Sequence, residues 1–86
     1  MRSDDVCSKY ADQKTDLSLT LLPDEEGGKP YILISGPSQA LHMLAELLIS
    51  VADEKENDGF FLGPTGPGSS RFSDMSEFGV YIYRRD

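Results

Sequence analysis

The sequence predicts an α+β fold: a two-layer sandwich of order β-β-α-β-β, with one helix lying on one face of an about four-stranded mixed sheet. Three patterns predict it. Apolar residues alternate at period two across residues 17–22 and 80–83, an apolar run fills residues 31–35, and a helical stripe runs between them from Ala40 to Val51. A helix joining two strands of one sheet makes a right-handed crossover to a parallel strand, and hairpins on either side make the sheet mixed.

The elements follow in chain order. Residues 1–16 are polar and mixed in charge, with only Val6, Cys7, Tyr10 and Ala11 to bury, and read as a weakly ordered arm or a short edge strand. Residues 17–86 read as one domain. In residues 17–22, alternation puts Leu17, Leu19 and Leu21 on one face of a half-wetted strand. The turn at 23–30 carries Asp24, Glu25 and Glu26, with Gly27 and Gly28 free to take positive φ. Tyr31-Ile32-Leu33-Ile34-Ser35 is near-continuously apolar, as expected of a more central strand.

The helix spans residues 37–53. Pro37 suits a first turn, where its missing N–H costs nothing, and Ser35 or Gly36 is the expected cap. Ala40, Leu44, Leu47 and Val51 fall at i, i+4, i+7 and i+11 on a buried stripe, widened by Leu41, Met43, Leu48 and Ala52. The opposite face holds His42, Glu46, Ile49, Ser50 and Asp53. A short strand at 60–62 and a long irregular loop at 63–78 follow; a loop of that length is functional, mobile or structured in its own right. In the last strand, Val80 and Ile82 face the core and Tyr81 and Tyr83 face the other way.

Composition excludes more than it assigns. The 86 residues hold 15 acids and 8 bases, a net charge of −7 that repels phosphate backbones and favours a basic protein partner. At this length a single core yields a stability of about 4–13 kcal/mol. The single cysteine, Cys7, has no second thiol for an internal disulfide or a metal pair, which points to a reducing compartment. The opening residues lack the apolar stretch of a signal peptide, and no apolar run approaches the roughly 20 residues a membrane helix needs, so a cytoplasmic protein is expected.

No catalytic residues, metal or cofactor are expected. Cys7 and His42 lack the spacing and fixed cationic neighbour that would make a nucleophile and its base. Glu25 and Glu26 sit on a turn, where nothing tunes an acid–base pair. The Gly/Pro segment at 63–70 lacks the lysine of a phosphate loop, and two of its residues are prolines without N–H donors. Arg71 beside it still allows a small-anion site. The candidate contact residues are therefore Tyr81 and Tyr83 on an uncovered sheet face, His42, Glu46 and Ile49 on the outer helix face, and Phe72 in the loop. Asp24, Glu25 and Glu26 complete the set. They are expected at one acidic pole with Asp53, Glu54, Glu56 and Asp58, diluted by Arg84 and Arg85.

The stretch Ser35-Gly36-Pro37-Ser38-Gln39-Ala40-Leu41-His42-Met43-Leu44-Ala45-Glu46-Leu47-Leu48 resembles a small immunity-protein family of bacterial polymorphic toxin systems: a strand into Ser-Gly, then a helix patterned Leu-x-x-Leu-Ala-x-x-Leu, then a Gly/Pro loop and a last strand. The likeness covers about twenty residues, and the 63–78 loop is longer and richer in glycine than the family's. It implies a cytoplasmic, non-enzymatic protein that neutralises a toxin by binding it. Two other readings stand beside it: an inhibitor or decoy from a phage or mobile element, aimed at a nucleic-acid-handling host protein, and a regulatory domain sensing a small anion.

Overall fold

In the computed structural model, which describes residues 3–54, 59–66 and 68–86, the fold is α+β. Its elements are α1 (Ser3–Lys9), β1 (Ser18–Leu22), β2 (Tyr31–Ser35), α2 (Ser38–Asp53), β3 (Gly59–Leu62) and β4 (Val80–Tyr83), with a 3₁₀ turn at Ser69–Arg71. The strands make two separate antiparallel hairpins, β1–β2 and β3–β4, and not the single four-stranded mixed sheet that the element order suggested.

On the β1 side the split has a local cause. The side of β1 facing away from β2 is occupied by the segment between β3 and β4. Leu17 donates to the Arg71 carbonyl at 3.0 Å, and the Leu17 carbonyl accepts from Ser73 at 2.8 Å. The Leu19 carbonyl accepts from the amides of Glu77 and Phe78 at 3.0 and 3.1 Å, while the Leu19 amide donates to Ser76 Oγ at 2.9 Å. With that edge filled, neither β3 nor β4 can pair with β1. The long loop is thus a structural wedge, locked at its centre by the parallel bridge between Leu17 and Phe72.

The N-terminal segment differs from the expected arm. Residues 3–9 are helical, and Val6 and Tyr10, one turn apart and hence on one side, are both buried. Thr15 is buried as well and donates from Oγ1 to the Arg71 carbonyl at 2.7 Å. The core is one cluster built from Val6 and Tyr10, Leu17 and Leu19, Ala40, Met43 and Leu47 of α2, Leu62 and Phe72. Phe60, Val80 and Ile82 close it from the second hairpin. Burying a side chain such as Val6 is worth roughly 1.5–3 kcal/mol, so α1 adds materially to a core this small.

Helix α2 starts at Pro37, the cap residue, whose carbonyl accepts from Ala40 at 2.9 Å and Leu41 at 3.3 Å; neither Ser35 nor Gly36 takes that position. Close packing explains the glycine at 36, since a Cβ there would sit 3.0 Å from the Ala40 Cβ and 3.3 Å from the Asp16 carbonyl oxygen. Both helices end against an arginine. Arg84 Nη1 donates to the carbonyls of Val51, Ala52 and Glu54 at 3.2, 3.4 and 2.7 Å. Arg71 Nη2 donates to the Cys7 carbonyl at 3.1 Å. Each cation meets orphan carbonyls at the negative end of a helix dipole.

Candidate protein-docking surface

The β1–β2 hairpin carries the densest exposed apolar surface among the described residues, although Leu41 and Leu48 of α2, expected to widen the buried stripe, are exposed as well. Its register is continuous, from Ser18 opposite Ser35 to Leu22 opposite Tyr31, which puts Leu19, Leu21, Ile32 and Ile34 on one face and Thr20, Leu22, Tyr31 and Leu33 on the other. Leu19 is buried. Beyond it the core stops: Tyr31, Ile32, Leu33 and Ile34 expose 62%, 56%, 44% and 46% of their surface, and Leu21 and Leu22 expose nearly half of theirs. The apolar run that predicts a central, covered strand therefore forms one that is exposed at every position. Scattered exposed apolar residues are ordinary; here three cluster on each face of one hairpin, Leu21, Ile32 and Ile34 on one side and Leu22, Tyr31 and Leu33 on the other, a clustering of the kind that marks an interaction site.

The tip of this hairpin is acidic. Asp24 organises it, with its carboxylate Oδ1 accepting from the Glu26 amide at 3.1 Å and its carbonyl from Gly27 at 3.1 Å. Gly27 has φ of 84°, a conformation glycine adopts without strain. Glu25 and Glu26 project into solvent, with Lys29 the one base in the turn.

A second patch lies on β3–β4. Tyr81 and Tyr83 are exposed, on the face away from Phe60, Val80 and Ile82. Tyr81 stacks on Phe61 across the hairpin, ring centroids 5.6 Å apart and planes 14° from parallel. Both tyrosines lean over Gly59, where a Cβ would lie 3.4 Å from Tyr83 Cδ2 and 3.6 Å from the Tyr81 hydroxyl. Phe61, Tyr31 and Leu33 escape the sequence reading of the contact surface, although a period-two pattern in 59–62 already puts Phe61 opposite Phe60; for Ile32 and Ile34 the apolar run leaves open whether they share the free sheet face or point to the helix.

The outer face of α2 is divided. His42 and Ile49 are exposed. Glu46, expected beside them as a contact residue, is engaged within the molecule: Lys9 Nζ donates to Oε1 at 2.6 Å and the Tyr10 hydroxyl donates to Oε2. The Lys9 hydrogen bond first, and the Tyr10 one second, hold the Glu46 carboxyl below its ordinary range. The same bonds to Glu46 push Lys9 and Tyr10 above theirs. Below this tie, Val6, Glu46, Ile49, Ser50 and Asp53 line a cleft of about 250 Å³ between the helices. Phe72, the other expected contact residue, is buried against Leu17 and belongs to the core. Of the expected acidic pole, Glu56 and Asp58 lie outside the described residues.

Chemistry-bearing groups are dispersed. Among the described residues no three of His, Cys, Asp and Glu gather where a metal ion could be held. Cys7 and Arg71 line a cleft of about 400 Å³ with Phe60, Phe61 and Leu62, and Arg71 Nε is buried there without a hydrogen-bond partner among the described residues. No helix among the described residues is long and apolar enough to cross a membrane. Comparison of the chain with protein-family models, curated proteins and solved structures finds no match.

Proposed function

We propose that this chain is a non-enzymatic binding protein that neutralises a basic protein partner in the cytoplasm, as an immunity protein neutralises its toxin. One observation carries the reading: β2 exposes every residue of an apolar strand on an otherwise acidic chain. Leaving that much apolar surface in water has a cost, roughly 25 cal/mol per Å², which a partner's surface removes. The acidic tip beside the patch and the net charge of −7 favour a cationic partner and speed its encounter. The phage or mobile-element inhibitor reading shares this physics and differs in its target.

Co-expression with the adjacent gene, followed by affinity purification at low and high salt, tests the proposal. A stoichiometric basic protein, recovered with an association rate that falls as salt rises, is the expected result. No protein partner under any salt condition overturns it.

The small-anion reading is favoured by Arg71, which lines a cleft with Cys7 and whose buried Nε has no hydrogen-bond partner among the described residues. Thermal stabilisation by millimolar phosphate or nucleotide, lost in Arg71→Gln, would support that alternative.

A further inference from the structure

The outer edge of β2 is a built acceptor for another strand, and the ladder identifies its hydrogen-bonding groups. In an antiparallel pair, residues alternate between exchanging both backbone bonds with the neighbour opposite and pointing both away. Leu19 points both its N–H and its C=O away from β2, toward Ser76, Glu77 and Phe78. Its partner Ile34 must then point both groups away from β1, and Ile32, two residues back, does the same. Among the described residues no backbone hydrogen bond reaches these groups. Natural edge strands are blunted by charges, prolines or bulges. Within Tyr31–Ser35 there is no charge and no proline, and the pairing with β1 carries no bulge.

We infer that β2 binds its partner by strand addition, and that the occupant is an extended basic segment of another protein. This deepens the proposed function and rests on it. Charge selects the occupant. A second copy would set two chains of net charge −7 at the spacing of neighbouring strands, about 4.8 Å. A segment bearing Lys or Arg beside alternate apolar residues instead meets Asp24, Glu25 and Glu26 at the end of the same edge and covers Ile32, Ile34, Tyr31 and Leu33 with its own side chains.

Residue-resolved amide exchange tests the inference, with two end-blocked peptides in millimolar amounts as probes: one alternating Val with Lys and Thr, the other carrying Glu for Lys. With the Lys peptide, the Ile32 and Ile34 amides slow by about tenfold at about ten times the Kd, while the Glu peptide leaves them unchanged. Ile34→Pro, which removes an outward N–H while keeping the bonds to β1, abolishes the effect with the Thr20–Leu33 cross-strand contact intact. Unprotected amides with the Lys peptide overturn the inference. So does protection without peptide that grows with protein concentration, which assigns the edge to a second copy. A cellular partner bound at full stoichiometry with Ile32 and Ile34 still exchanging freely defeats strand addition and leaves the proposed function standing. Protection by the Lys peptide with no cellular partner does the reverse.

Discussion

The Tyr10 hydroxyl donates to the Glu46 carboxylate 36 residues away in sequence, on the same carboxylate that receives Lys9. This junction ties the α1 segment to α2 beside the cleft that Val6 and Glu46 line together. It gives the fold a definite pH signature. Because Glu46 is held below its usual value of 4.5, its contribution is present above that value and is lost as pH falls through the lower, folded one. Tyr10 is raised above 10.0, so its share is present below that value and disappears as pH climbs through the higher, folded one. The urea midpoint should be flat between about pH 6 and 9 and fall on both sides. Tyr10→Phe should lower the plateau and make the acid limb shallower. An acid limb identical to wild type would mean that the Tyr10–Glu46 bond does not form in solution.

Arg84 closes the C-terminal end of α2 through three carbonyls. Arg84→Gln should lower unfolding free energy by about 1–2 kcal/mol, the scale of charge-assisted bonds to a helix end. Neighbouring Arg85, which is exposed, should tolerate the same change within about 0.5 kcal/mol. Equal effects at the two positions would refute the cap.

Phe72 separates core from contact surface. Phe72→Ala should cost about 3–5 kcal/mol in urea unfolding, a large share of the stability available to a chain of this size. Met75→Ala, on the same loop but 77% exposed, should stay within about 0.5 kcal/mol. A mild Phe72→Ala would detach the loop from the core.

Tyr81 and Phe61 form the second exposed patch, and their stack is worth about 0.5–1.5 kcal/mol. Tyr81→Ala should therefore lower stability by about that much. If binding of the co-expressed partner falls by more than the loss of folded protein explains, β3–β4 shares the contact surface. Unchanged binding confines that surface to β1–β2.

The sequence reading succeeded where a single period decides the structure. The stripe through Ala40, Leu44, Leu47 and Val51 is the buried side of α2, and alternation in the last strand correctly turns Tyr81 and Tyr83 outward. It failed where partners come from far along the chain. Val6 and Tyr10, four apart, were the only sign of α1; two apolar residues amid polar ones make too thin a stripe without sight of Glu46 opposite. A single sheet is closed off on the β1 side because Ser76, Glu77 and Phe78 fill that edge, and no local pattern announces a loop serving as a strand's neighbour. β2 departs from the expected covered strand for a different reason. An apolar run signals burial in something, and the sequence does not say whether that something lies within the same molecule.

Binding by an Ile32→Glu/Ile34→Glu double variant tests the hairpin surface most directly. Both side chains are about half exposed, so the variant should remain folded, with a thermal midpoint near that of wild type. Its affinity for the partner recovered by co-expression should fall by about a hundredfold or more, as expected when charge is placed at the centre of an apolar contact. A folded double variant that binds with wild-type affinity would contradict the account.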